Sequence, residues 1–93
     1  MPESQARRVF IVVPSYNEGP VLRATVEDLL HQDYQVIVVD DGSSTPADTL
    51  LRNLPVHYLR HSVNLGQGAA LETGTEYALL QQADVIVHFD ADG

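Results

Sequence analysis

Val36-Ile37-Val38-Val39 runs straight into Asp40-Asp41-Gly42-Ser43, and the form of that stretch decides the fold. An unbroken run of β-branched aliphatic residues describes a strand buried on both faces, the kind found inside the sheet of an α/β protein. The Asp- and Gly-rich turn that follows ends it. The same form closes the sequence, where Val85-Ile86-Val87-His88-Phe89 leads into Asp90-Ala91-Asp92-Gly93. It is expected to be a buried strand as well. A further apolar run, Val9 to Val13, precedes Pro14, which is expected to stop it.

Helical signals fill the gaps between these runs. Pro20 to His31 carries apolar side chains at Val21, Leu22, Val26, Leu29 and Leu30, spaced for one helix face, with Pro20 suited to the first turn. Thr45 is placed to cap a short helix with Pro46 at its first position and Asp48 three residues on. Pro55 to Leu59 is a short strand for a sheet edge, where proline is tolerated. Asn64-Leu65-Gly66-Gln67-Gly68 turns into a helix from about Ala69 to Gln82, and Asp84 to Phe89 is the closing strand. The order β-α-β-α-β-α-β predicts an α/β fold: a parallel, Rossmann-like sheet with right-handed crossovers and helices on both faces. Polar clusters follow the first, second and fourth strands. A parallel sheet collects them at its carboxyl edge, where open α/β sheets bind ligands.

Composition narrows the function. Acidic residues number 13 against 5 basic ones, all arginine, for a net charge of −8. A protein that grips a nucleic-acid backbone needs basic patches, so that class is excluded. An anionic ligand would be held through a metal, backbone N–H groups or those few arginines. Cysteine is absent, which removes disulfides, thiolate zinc sites and a cysteine nucleophile. An apolar content of 44% excludes disorder. The apolar run before Pro14 is far too short to span a bilayer, and the N-terminus has no signal-peptide core. A cytoplasmic location is therefore expected.

Each polar cluster has a plain reading beside the chemical one. Asp90 and Asp92, one residue apart at the mouth of a strand, suit Mg²⁺ or Mn²⁺ with diphosphate oxygens as co-ligands, since Mg²⁺ takes few protein carboxylates; they also suit a solvated turn. Asp40 and Asp41 form either a turn or an acceptor pair for a base or ribose. A carboxylate accepts from N–H and O–H but needs a cation to pair with phosphate, which points Asp41 towards a nucleoside. Asn17 and Glu18 could act likewise or cap the first helix. The Asn64 to Gly68 loop could cradle phosphate at a helix N-terminus, although it lacks a P-loop lysine and follows the third strand. Gly74 is expected to be a packing contact, and the histidines to be structural or solvated, with only His88 near the acidic pair.

Taken in order, Val12-Val13-Pro14-Ser15-Tyr16-Asn17-Glu18, Val38-Val39-Asp40-Asp41-Gly42-Ser43-Ser44, Asn64-Leu65-Gly66-Gln67-Gly68-Ala69-Ala70-Leu71 and Phe89-Asp90-Ala91-Asp92-Gly93 resemble the nucleotide-binding half of the family 2 glycosyltransferases, nearest to the dolichyl-phosphate mannose synthase and polyprenyl-phosphate sugar transferase branch. The resemblance implies the N-terminal part of a GT-A fold, with the first strand beside the fourth. It also implies metal-dependent transfer of a sugar from a UDP- or GDP-linked donor, with inversion, to an acceptor such as polyprenyl phosphate. The nucleotide-binding residues it implies are Pro14, Tyr16, Glu18, Asp40, Asp41, Gly68 and Asp90, with Asp41 on the base. Asp90 and Asp92 would hold Mg²⁺ or Mn²⁺.

Where many relatives carry Lys or Arg, this sequence has Gln67, which leaves more of the diphosphate charge to the metal. In the family the general base, acceptor pocket and remaining strands lie downstream of the acidic pair. Residues 1–93 are therefore expected to be a donor-binding part truncated after the DxD motif, without turnover of its own. The parent enzyme could be membrane-associated. A last strand left at an open edge would favour a homo-oligomer. Two other readings compete. Val85 to Gly93 also resembles the opening motif of haloacid-dehalogenase phosphatases, with Asp90 as nucleophile and Asp92 as acid/base. Asp40 and Asp41 resemble the acidic pocket of a receiver-like signalling module, which relies on a lysine that is missing here.

Overall fold

A computed structural model describes residues 7–89. Four strands form one parallel sheet: β1 (Val9–Ser15), β2 (Gln35–Asp40), β3 (His57–Arg60) and β4 (Val85–His88). Their spatial order is β3-β2-β1-β4, so the first strand does lie beside the fourth. The helices are α1 (Val21–Leu30) and α2 (Gln67–Leu80), with a short 3₁₀ segment at Ala47–Leu51 between β2 and β3.

The sheet separates two cores by strand alternation. Ile11, Val13, Val36 and Val38 point to one face and pack under Leu22, Val26 and Leu29 of α1 and Ala47 and Leu51 of the 3₁₀ segment. Phe10, Val12, Ile37 and Val39 point to the other face, against Ala70 and Ala78 of α2. Small residues let α2 come close to the strands. At Gly74 a Cβ would run into the side chain of Val12, which bears out the expected packing contact.

Several details differ from expectation, among them β3, which opens at His57 and not at Pro55. β1 continues through Pro14 to Ser15, with Pro14 opposite Val39. The ladder to β4 reaches only Val12 opposite His88, so proline stands where β1 has one described neighbour and its missing N–H is tolerated. Thr45 does not cap the second helical segment. Pro46 is its N-cap, without a side-chain bond, and the amide of Ala47 donates instead to Asp40 Oδ2 at 2.9 Å. α2 opens at Gln67, two residues earlier than expected. β4 is half-buried rather than buried, with Val87 42% exposed, because it is an outer strand of the described sheet and has fewer neighbours to cover it.

Candidate functional site

All four strands are parallel, so their carboxyl ends share one edge. The β1–β2 and β2–β3 connections cover one face of the sheet and α2 covers the other. Strand order therefore reverses between β1 and β4, and their carboxyl ends mark the position at which open α/β sheets bind ligands. Pro14 to Glu18 lie on the β1 side of it. On the β4 side Phe89 donates its amide to Val12 O at 2.9 Å, and Asp90 is its chain neighbour. Asp90 and Asp92 themselves lie outside the described residues. Among the described residues no group of three His, Cys, Asp or Glu is assembled to hold a metal.

Tyr16, Asn17 and Glu18 are exposed on the β1–α1 loop, and Asn17 takes a positive φ of 53°, a conformation Asn tolerates better than most residues. Asn17 does not cap α1, whose N-cap is Pro20. Its amide donates to Ser43 Oγ at 2.8 Å, and its Oδ1 accepts from the Ser44 amide at 2.9 Å. Two of the sequence clusters are thus stitched together at this edge.

Asp40 is fully buried at the end of β2. Oδ1 accepts from the Ser43 amide, while Oδ2 accepts from the Ala47 amide and, at 2.8 Å, from the Tyr58 hydroxyl. The Arg60 guanidinium lies 3.5 Å away. Burial opposes ionisation, but the donors from Ser43, Ala47 and Tyr58 outweigh it and hold the carboxyl below its usual range. Burial and the bond to Asp40 push the Tyr58 hydroxyl up to about 12.

Asp41, 3% exposed, faces the α2 side. Oδ1 accepts from His61 Nδ1 at 2.7 Å and from the Leu65 amide at 2.9 Å. Oδ2 accepts from Asn64 Nδ2 at 3.0 Å and from the Gly66 amide at 2.8 Å. A carboxylate has about four lone-pair positions, and each here meets a donor of the chain itself. Burial again opposes ionisation, and His61 with the two amides overcomes it, so the carboxyl sits low. An acceptor role towards a base would compete with these bonds. Gly42 next in sequence has φ 77°, and a Cβ there would collide with the backbone of Val63 and Asn64. Only glycine lets the two loops touch in this way.

The Asn64 to Gly68 loop therefore spends the amides of Leu65 and Gly66 on Asp41. The amides of Gln67, Gly68 and Ala69 precede the first bond of α2, from Ala70 N to Gly66 O. Gly68 is exposed, and a Cβ there would meet nothing within 4 Å. His88, expected near the acidic pair, bonds through Nε2 to Thr75 Oγ1 of α2 at 2.8 Å. Sequence reasoning placed His61 only among the structural or solvated histidines, without its partners, and did not single out Tyr58. His61 stands 20 residues from Asp41, a separation that matches no local pattern and is closed only by the β2–β3 crossover.

The family model for glycosyl transferase family 2 matches residues 10–93. An uncharacterized protein of Methanocaldococcus jannaschii is 40% identical over 91% of this chain and 35% of its own length. The UDP-N-acetylglucosamine–dolichyl-phosphate N-acetylglucosaminyltransferase of Methanococcus voltae is 30% identical over 91% of this chain and 41% of its own. The undecaprenyl-phosphate mannosyltransferase of Micrococcus luteus is 37% identical over 92% and 38%. The chain thus spans roughly two-fifths or less of these relatives. No solved structure gives a significant match. No helix among the described residues is long and apolar enough to cross a membrane. The family match takes in the βα units that a phosphatase reading of Asp90 leaves unexplained.

Proposed function

The chain belongs to glycosyl transferase family 2, and from that premise we propose that it is the donor-binding part of an enzyme that moves a sugar from a nucleotide diphosphate to a polyprenyl phosphate, with inversion. The observation that carries this reading is the gathering of Pro14 to Glu18, Asp40 to Ser43 and the carboxyl end of β4 at one sheet edge, around the β1/β4 switch point. The relatives' names supply the chemical class: one is named for a UDP-linked donor and dolichyl phosphate, another for undecaprenyl phosphate and mannose.

In this reading Pro14, Tyr16 and Glu18 line the nucleoside pocket. Asp40 and Asp41 act beneath it by holding the loops that shape it, and Gly68 leaves room for the diphosphate beside the opening turn of α2. Asp90 and Asp92 fit Mg²⁺ or Mn²⁺ by donor chemistry: two hard carboxylates one residue apart, with the remaining positions left to phosphate oxygens and water. The ion would supply positive charge against the diphosphate as the leaving group gains negative charge. No residue from Met1 to Gly93 is assigned as general base or as part of an acceptor pocket.

Calorimetry of the chain with UDP and GDP, in Mn²⁺ and in EDTA, tests the proposal. No lysine is present, so without metal the diphosphate faces Asp90 and Asp92 unscreened, and binding should appear only with Mn²⁺. Equal affinity in both buffers would remove the metal from the reading. No binding of either nucleotide would remove the donor site.

A further inference from the structure

We propose that His61 is a positioning residue of the donor site, setting the Asn64 to Gly68 loop and the start of α2 through Asp41. The imidazole is a bridge. Nδ1 reaches Asp41 Oδ1 at 2.7 Å, and Nε2 reaches Thr73 Oγ1 on α2 at 2.8 Å. Its side chain is 11% exposed, so both bonds form largely away from competing water. Asp41 as a carboxylate only accepts, which places a proton on Nδ1.

From Asp41 the connection runs on to Asn64 Nδ2, Leu65 N and Gly66 N. One side chain thus ties the carboxyl end of β2 to the loop before α2 and also to that helix's second turn. Removing it would leave Asp41 and the Thr73 hydroxyl each short of a partner, and the loop with one fewer constraint. Asp41 alone would not fix the helix, because its other partners all lie ahead of the first helical bond. Asp41, His61 and Thr73 also share the residue types of a hydrolytic triad. Thr73 lies inside α2 with its hydroxyl directed to His61, which suits a tether.

The proposal rests on the donor-site reading for its consequence, though not for its geometry. Two measurements on the chain keep these apart. Hydrogen exchange should show the Leu65 and Gly66 amides opening about tenfold faster in His61→Ala, while Val12 and Val38 amides exchange as in wild type. Calorimetry with UDP and GDP in Mn²⁺ should show affinity about tenfold weaker in the same variant. His61→Asn places an amide donor near the position of Nδ1, so it should recover most of both effects. Thr73→Val, nearly the same shape, should give about threefold changes and serves if His61→Ala does not fold. In wild type, nitrogen-15 spectra should place a slowly exchanging proton on Nδ1 of His61. Wild-type exchange at Leu65 and Gly66 in His61→Ala and in Thr73→Val would overturn the positioning role. So would nucleotide affinity within twofold of wild type in both variants. Failure of wild type itself to bind either nucleotide would overturn the donor site and leave exchange to decide whether His61 holds the loop.

Discussion

β2 and β4 carry the same kind of sequence and end in the same kind of acidic pair, yet the fold treats them in opposite ways. β2 lies between β1 and β3, and Val36 to Asp40 are all buried. β4 pairs with β1 alone among the described strands, and Val87 and His88 are exposed. At the end of β2 the carboxylates are consumed by the chain, Asp40 serving the 3₁₀ side and Asp41 the α2 side. The contrast teaches that an acidic pair after an aliphatic run is not in itself a ligand site. Burial by neighbouring strands turns the pair after β2 into internal fasteners, so a role in external chemistry at the pair after β4 has to be tested separately.

The largest expected effect comes from exchanging the pairs' roles by mutation. Asp41→Asn replaces two acceptor oxygens with one and sets an amide donor against donors. It should cost about 3 kcal/mol of unfolding free energy by urea denaturation, the range for losing buried bonds to a charged group. Asp92→Asn should cost under about 0.5 kcal/mol and instead abolish the Mn²⁺ dependence of UDP or GDP binding. Similar stability losses in both variants would break the comparison.

How far the sequence carries this contrast depends on whether neighbours or chain order decide a feature. Strand and helix alternation is set locally by β-branched runs and 3.6-residue spacing, so the α/β class, the parallel sheet and the close approach at Gly74 are all legible. Burial of β4 is not, because Val85 to Phe89 reads the same at the centre of a sheet as at its edge. The fate of Asp41 is equally hidden. His61, Asn64, Leu65 and Gly66 reach it across a crossover, and no periodic signal records such a meeting. Thr45 had the right chemistry for a cap and lost to Asp40, whose carboxylate is charged, buried and already facing the Ala47 amide.

The next effect is smaller and concerns packing. Val38→Ala removes two methyl groups from a site with no exposure and should cost about 2 kcal/mol, transfer and cavity terms together. Val87→Ala, half-exposed, should cost no more than about 0.5 kcal/mol. The outer edge of β4 presents unpaired backbone groups within the described sheet, and we propose that it pairs with a second copy of the chain. Light scattering should then show a dimer that Val87→Lys returns to monomer. A wild-type monomer at micromolar concentration would end that proposal while leaving the packing contrast intact.

Acid titration should give the smallest effect, and it locates the sensitivity on the β2 side. Asp40 and Asp41 both sit below the ordinary 3.8, since donors outweigh burial. The unfolded chain therefore takes up protons first as pH drops. Their contribution to stability is complete above about pH 4 and is lost as pH falls through the folded values. His57 adds a milder step higher up. Its ring packs against Phe10 and Tyr77 and bonds to the Tyr77 hydroxyl and to Gln35 of β2. Burial, then the charge of Arg8, hold it below 6.5. A base with a lowered folded value binds its proton more readily when unfolded, so this contribution is present above pH 6.5 and declines as pH falls below it. Urea midpoints measured from about pH 8 to about pH 3 should show two descending steps. His57→Gln should erase the upper step and leave the lower one in place, because the carboxylates at the far end of β2 do not touch His57. Persistence of the upper step in that variant would assign it to another group and remove His57 from the account.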